Sequence, residues 1–130
     1  MTDPIADMLT RIRNGSRARL QRVDVLSSRM SQMLSAVLKE QGYIDDFRQI
    51  KGKSHDVIEL KLRYDEKRTP VISEIKRISK PGRRVYYRSQ EIPKIRSGHG
   101  VMILTTSRGL MTDHSARKEK VGGEALCAIW

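Results

Sequence analysis

The chain changes character near residue 70, and this change constrains its fold more than any other feature. Up to that point two stretches carry apolar residues at helical spacing, whereas the later residues form short apolar runs separated by turn residues. The charged residues 65–68, which precede Pro70, are typical of a linker. The sequence therefore predicts an α+β protein with two small domains, residues 1–69 and residues 70–130.

The first domain is predicted to have the element order α-β-α-β-β. Asp3 and Pro4 favour a helix start, and Asn14-Gly15 predicts the end of that helix. Ser27-Ser28 is suited to cap a second amphipathic helix, which Gly42 ends. Strands are expected at residues 23–26, 43–50 and 57–64.

The second domain is predicted to be mostly β with one short helix. Lys80-Pro81-Gly82 predicts a turn between its first two strands. Thr112 or Asp113 is suited to cap a helix at residues 113–119. Strands are expected at residues 71–78, 85–88, 101–105 and 124–130.

Positive charge is in excess and unevenly distributed. The 26 Lys and Arg residues outnumber the 15 Asp and Glu residues, which gives a net charge of +11. Like charges in a compact chain repel one another, so this excess predicts a polyanionic partner. Residues 1–69 carry 14 basic and 10 acidic side chains, whereas residues 70–130 carry 12 and 5. The second domain is therefore the expected place of contact.

The densest basic segment is residues 76–96, where eight Lys and Arg residues are opposed only by Glu91. Its members Lys80, Arg83 and Arg84 are candidates for phosphate contacts. Tyr86 and Tyr87 lie within this segment, and because they alternate on a strand one of them must face away from the core. That tyrosine can stack on a base or hydrogen-bond a sugar, or it can be an ordinary half-buried strand residue.

A hydroxyl-rich segment follows the apolar run at residues 101–104. It contains Thr105, Thr106, Ser107, Arg108 and Gly109. Hydroxyl groups both donate and accept, which suits them to ribose, base edges and phosphate oxygens. The alternative is a hairpin whose hydroxyls bond their own backbone.

Gly122-Gly123 and Glu124 precede the last predicted strand. The glycines permit close approach of a partner, or they form an ordinary turn. Glu124 can accept hydrogen bonds from base amino groups, or it can pair with a neighbouring arginine.

Catalysis is a weaker hypothesis. Cys127, His99, His114 and Asp113 supply the residue types of a thiol–histidine site, but their spacing matches no known motif. Cys127 lies in an apolar run, where a lone cysteine behaves as a small buried hydrophobe. No metal or cofactor motif is present, so none is expected.

The sequence also bears on location and on rival functions. No apolar run reaches the length of a membrane span and no signal peptide is visible, which favours a cytoplasmic protein that does not contact membranes. The rivals are a thiol enzyme and a general nucleic-acid binder. The latter lacks an evident aromatic platform, since only Phe47, Trp130 and four tyrosines occur.

Three stretches resemble one known family closely. They are DPIADMLTRIRNG at residues 3–15, ISKPGRRVY at residues 78–86, and residues 98–130 with TSRGLMTD and VGGE. On these motifs the chain resembles the bacterial small-subunit ribosomal protein eight family over essentially its whole length. The resemblance is weakest at residues 17–25 and 49–68.

The resemblance implies two α/β domains and a structural, non-enzymatic role in the small ribosomal subunit. It implies binding to a helical element of the 16S rRNA central domain, an early part in assembly of the subunit platform, and neighbouring small-subunit proteins as partners. Members of the family also repress translation by binding an mRNA that mimics the rRNA site. The alternative is a general RNA-binding protein outside the ribosome.

The resemblance also implies particular RNA-binding residues. The loop at Thr105, Thr106 and Ser107 is the expected main contact, assisted by Tyr86, Gly122, Gly123 and Glu124. In the first domain it implies weaker candidates at Asp3, Thr10, Arg11 and Asn14. Three residues depart from the usual pattern: Thr105 replaces a common serine, His114 a common arginine, and Ala128 a frequent tyrosine. His114 lacks the full positive charge of arginine at neutral pH, which weakens any phosphate contact expected there.

Overall fold

The structure, a computed structural model, describes residues 3–130. These residues form two compact units, residues 3–73 and residues 74–130. The predicted mixture of helix and sheet, with the second part mostly β, is confirmed. The domain boundary between residues 69 and 70 stays a prediction.

The first unit has the order α1 (Pro4–Arg17), β1 (Arg22–Leu26), α2 (Arg29–Glu40), β2 (Ile44–Ile50) and β3 (Val57–Leu62). The strands form an antiparallel sheet in the order β1-β3-β2. Asp3 caps α1 by accepting a hydrogen bond from the Ala6 N–H (3.2 Å). Ser28 caps α2 through the Ser31 N–H (3.0 Å). Both caps agree with the sequence pattern.

The end predicted for α1 at Asn14-Gly15 is wrong, because the helix continues to Arg17. Gly15 is buried, and a Cβ atom there would lie 2.3 Å from Val23 Cγ1. The glycine is therefore needed for close packing of α1 on β1 rather than for ending the helix.

The second unit contains β4 (Ile75–Arg77), β5 (Tyr86–Tyr87), β6 (Val101–Thr106), β7 (Gly109–Thr112), α3 (Asp113–Glu119) and β8 (Gly123–Ile129). Short 3-10 turns, Ser89–Glu91 and Ile95–Gly98, lie between β5 and β6. The strand order is β4-β8-β6-β7, and β5 also pairs with β8. Every strand pairing in this sheet is antiparallel.

Two strand predictions in this unit are too long and one strand was missed. Residues 71–78 contribute only the three residues of β4, and residues 85–88 only the two of β5. β7 was not predicted as a strand. It pairs with β6 directly after the hydroxyl-rich turn, so Gly109–Thr112 is half of a hairpin.

One face of the second sheet carries a cluster of buried apolar residues. Its buried members are Ile92, Met102, Leu104, Ala116 and Ala125, and Tyr87 packs against them. Buried Asp113 joins α3 to β6, because its carboxylate accepts the Met102 N–H at 3.0 Å and also pairs with Arg117. Within residues 3–130 no helix is long and apolar enough to span a membrane.

Candidate nucleic-acid interface

One end of the second sheet brings together most of the second-domain candidates. In the antiparallel register Tyr86 on β5 lies opposite Glu124 on β8, and Glu124 lies opposite Thr105 on β6. Thr105 in turn lies opposite Leu110 on β7. Directly opposed residues of antiparallel strands share a face, so these four form a cross-strand row on one face of the sheet.

Tyr86 is the tyrosine that faces away from the core. It is 66% exposed, whereas Tyr87 packs against the buried cluster. The prediction that one of the pair points outward is therefore confirmed, and its ring is available to a partner.

A β-bulge creates the cross-strand row. Ile103 pairs with Cys127, but the next residue, Leu104, pairs with Ala125, so Leu126 is the extra residue. Without the bulge Glu124 would lie opposite Thr106, on the other face of the sheet. The bulge thus places Glu124, which pairs with Tyr86 on the other side of β8, opposite Thr105.

Glu124 is held in place by two donors. The Ser79 hydroxyl donates to Glu124 Oε2 at 2.6 Å, and Arg84 Nη1 donates to the same oxygen at 2.9 Å. The carboxylate is 14% exposed. Partial burial raises its pKa, but the hydrogen bonds from Ser79 and Arg84 and the charges of Arg84 and Arg77 outweigh burial, so the pKa lies below its usual value. Glu124 is therefore a fixed anion within a basic surface.

Ser79 is a site residue that the sequence analysis missed. It is completely buried, donates to Glu124 and accepts the Val85 N–H at 3.1 Å. In this way it joins the turn at residues 80–84 to the cross-strand row. Its position ahead of Lys80-Pro81-Gly82 gave no signal, because the contact with Glu124 spans 45 residues.

In the hydroxyl-rich hairpin turn, Thr106 and Ser107 carry similar hydroxyl groups but differ in their hydrogen bonds. Thr106 Oγ1 donates to the Gly109 carbonyl at 2.8 Å and accepts the Arg108 N–H at 3.1 Å. Ser107 is exposed, and its hydroxyl forms no hydrogen bond in the described part of the chain. Thr106 thus stabilises the turn, while Ser107 offers a free donor and acceptor beside the row.

Gly122 and Gly123 lie close to the backbone of neighbouring strands of the same chain. A Cβ at Gly123 would lie 2.1 Å from the Thr105 carbonyl oxygen, and one at Gly122 would lie 2.4 Å from that of Tyr87. Close packing of the chain's own backbone is therefore sufficient to require both glycines.

Half of the basic residues in segment 76–96 are engaged within the protein. Arg77 donates to the Leu126 carbonyl, and Arg84 pairs with Glu124. Arg88 lies near Glu91, and Arg96 lies over the Trp130 ring. The exposed residues with neither an ion pair nor a ring contact in the described structure are Lys76, Lys80, Arg83 and Lys94. Arg108, on the hairpin, pairs with Glu119 at 3.2 Å.

The first-domain candidates occupy α1 and its cap. Asp3 is the N-cap, whereas Thr10, Arg11 and Asn14 are exposed at helical spacing. Arg11 pairs with Asp7 at 3.0 Å. They belong to the unit of residues 3–73, whereas the cross-strand row belongs to the other unit.

The thiol site does not assemble. Cys127 is buried within β8, and burial raises the pKa of its thiol to about 12, slightly opposed by the charge of Arg77. Both His99 and His114 are exposed, and neither is hydrogen-bonded to Cys127 within residues 3–130. A thiol with so high a pKa is not a nucleophile at neutral pH.

The described residues thus define a small protein of two α/β units, the second of which carries a polar cross-strand row within a basic surface. Its relatives agree with this class. The family model for ribosomal protein S8 matches residues 3–130. The chain therefore belongs to the ribosomal protein S8 family, a structural component of the small ribosomal subunit.

Individual relatives match over the full length of the chain. The small ribosomal subunit protein uS8 of Geobacter metallireducens is 54% identical over 130 residues, which cover 100% of this chain and 98% of the relative. The uS8 proteins of Syntrophobacter fumaroxidans and Thermodesulfovibrio yellowstonii are both 50% identical over all of this chain and cover 98% and 99% of their own lengths.

Proposed function

We propose that the chain binds 16S rRNA through the cross-strand row and the adjoining hairpin turn of its second unit. The observation that carries this proposal is the free Ser107 hydroxyl, which lies in a hairpin turn stabilised by two hydrogen bonds of Thr106, directly after the β6 strand that contributes Thr105 to the cross-strand row. Membership of the ribosomal protein S8 family supports RNA as the partner.

Some residues of this surface discriminate between RNA sequences, and others supply binding affinity. Ser107 and Thr105 reach ribose hydroxyls and base edges, and Tyr86 stacks on a base or bonds a sugar. Glu124 Oε2 is occupied by Ser79 and Arg84, which leaves Oε1 to accept from a base amino group. Lys80 and Arg83 neutralise phosphates, and they carry affinity rather than sequence information.

The target is a helical element in the central domain of 16S rRNA, and binding there helps to nucleate assembly of the subunit platform. The chain works on the cytoplasmic ribosome beside other small-subunit proteins. A second role follows if its own operon mRNA carries a mimic of the rRNA site, since the same surface then binds that mRNA and represses translation.

Crosslinking in living cells tests this proposal. Ultraviolet light should join the chain to 16S rRNA, with crosslinked peptides covering Tyr86 and residues 105–108. Peptides of α2, whose Gln32 is exposed, serve as the internal control and should remain free. RNA scattered over many transcripts would instead support a general RNA-binding protein outside the ribosome, and crosslinks confined to α2 would refute the proposed surface.

A further inference from the structure

A second basic site lies in the unit of residues 3–73, between the turn that follows α1 and the segment that follows β3. A shallow hollow of about 320 Å³ is lined by Arg19, Gln21, Tyr64 and Arg68. Its lining contains two positive charges, an amide and a phenol, but no acidic side chain. The two arginines come from turns 49 residues apart in the chain, so their meeting is a feature of the fold.

Arg19 occupies a backbone position that normally suits glycine. After α1 the Arg19 N–H donates to the Ser16 carbonyl and the Leu20 N–H to the Gly15 carbonyl, which is the Schellman pattern of helix ends. Arg19 has φ +56° in this turn. A side chain in this left-handed region costs on the order of 1 kcal/mol relative to glycine.

Arg68 is held in the same unusual conformation by a separate turn. The Asp65 carboxylate accepts the N–H groups of Lys67 (2.8 Å) and Thr69 (2.9 Å), which fixes the chain on both sides of Arg68. Arg68 has φ +64°. The fold therefore tolerates backbone strain at both arginines of the hollow.

A hydrogen bond from Tyr64 links the two turns. Its hydroxyl donates to the Leu20 carbonyl at 2.5 Å, so the residue after Arg19 is bonded to the strand end that leads to Arg68. Burial raises the pKa of Tyr64, while the charges of Arg19 and Arg68 both oppose that shift. Both guanidinium groups thus lie within electrostatic reach of one phenol.

Neither arginine is neutralised. Arg48 pairs with Glu59 and Arg63 approaches Asp45 in the same unit. In contrast, Arg19 and Arg68 form no ion pair in the described part of the chain. Two unpaired cations that line one hollow repel each other, and a bound anion relieves that repulsion.

We propose that Arg19, Gln21 and Arg68 form a second RNA contact that binds backbone phosphates. The guanidinium fork matches phosphate oxygens in two-point geometry, and the Gln21 amide adds a donor. The proposed function already brings an RNA backbone to this protein, which favours RNA phosphates over an acidic protein segment as the bound anion. This inference rests on the proposed function, because it assumes that the chain binds rRNA.

The salt dependence of binding to intact 16S rRNA tests the site. The Arg19→Gln/Arg68→Gln double variant should bind roughly tenfold more weakly at 0.1 M salt, with the slope of log affinity against log salt shallower by about 1.5, since each phosphate contact contributes about 0.7 to 0.9. Arg19→Lys/Arg68→Lys should retain most of the slope. RNA should also protect both arginines of the unaltered chain from an arginine-selective reagent.

Two further variants serve as controls. One shows whether weaker binding results from loss of stability, and the other whether it results from any loss of positive charge. Arg19→Gly/Arg68→Gly removes both charges and relieves the strain, so stability should be kept or raised while RNA binding falls. Lys51→Gln/Lys53→Gln removes two exposed charges of the same unit and should leave the slope unchanged. An equal slope change in both charge-loss pairs would overturn the site.

The experiments distinguish an error in the second RNA contact from an error in the proposed function. If the unaltered chain prefers 16S rRNA but Arg19→Gln/Arg68→Gln keeps its slope, only the second contact is wrong. Crosslinks from Arg19 to an acidic protein segment, with RNA binding intact, would identify a protein partner and likewise refute it. If the unaltered chain shows no preference for 16S rRNA, the proposed function itself fails.

Discussion

At the scale of single residues, adjacent hydroxyls have different tasks. Thr106 is bonded on both sides within the hairpin turn, whereas Ser107 is exposed and unbonded in the described structure. The sequence predicted the hydroxyl cluster and left open whether it bonds its own backbone or RNA. The structure supports the first alternative for Thr106. It could not be predicted from sequence which hydroxyl is free, because that depends on the exact turn geometry.

Alanine at each position should therefore separate affinity from stability. Ser107→Ala should weaken binding to the specific rRNA element by about 1 kcal/mol, roughly fivefold in Kd, without lowering the urea midpoint. Thr106→Ala should lower stability by about 1 kcal/mol, because two hydrogen bonds in the turn are lost. Exposed Ser73→Ala is the control for Ser107, and Thr106→Ser the control for Thr106. Equal effects of the two alanine variants on stability would contradict this assignment.

Glu124 should make folding stability depend on pH. Its pKa in the folded chain is lowered, so the contribution is fully present above the ordinary value of 4.5 and is lost as the pH falls through the lower folded pKa. In urea unfolding between pH 3 and pH 7, the stability difference between the unaltered chain and Glu124→Gln should be constant at the upper end and shrink below pH 4.5.

Glu66→Gln is a suitable comparison for this titration. The Glu66 carboxylate is exposed and forms no ion pair among residues 3–130. A constant difference between Glu124→Gln and the unaltered chain over the whole pH range would show that Ser79 and Arg84 do not favour the charged carboxylate.

At the scale of elements, strand register decides which side chains meet. The apolar runs predicted β6 and β8, and the cap residues predicted all three helix starts, because these signals are local. The bulge at Leu126 is not local: a one-residue slip moves every side chain to the opposite face. The sequence therefore predicted Tyr86, Thr105 and Glu124 as candidates, but not that they lie in one cross-strand row with Leu110. The end of α1 was missed for a similar reason, since Gly15 serves packing against Val23.

Glycine substitutions should report directly on this register. Gly123→Ala places a Cβ 2.1 Å from the Thr105 carbonyl oxygen, where only backbone movement relieves the clash. We expect a loss of about 2 kcal/mol or more in the free energy of unfolding, measured by urea titration. Gly82→Ala is the matched control, because a Cβ there meets nothing within 4 Å and should be tolerated. A stable Gly123→Ala variant with unaltered RNA affinity would show that β6 and β8 are not paired in this register.

At the scale of the whole molecule, the basic residues behind the net charge of +11 serve different purposes. Several arginines of the second unit, such as Arg77 and Arg84, bond groups of the protein itself. Others, such as Lys80 and Arg83, remain free in the described structure to meet phosphate. Composition predicted the polyanion but not this division, which depends on contacts between residues distant in sequence. Under the proposed function, the free cations supply affinity, whereas the largely uncharged row and hairpin discriminate between RNAs.

One binding measurement tests that division most directly. The unaltered chain is titrated with the 16S rRNA central-domain element and with a random duplex of equal length, each over a range of salt concentrations. Affinity for both RNAs should fall linearly in log-log form, while the specific element should stay preferred, on the order of a thousandfold. Ser107→Ala should reduce that preference, and Lys80→Gln/Arg83→Gln should weaken both RNAs alike. Equal affinity for the two RNAs, or a flat salt dependence, would contradict the account.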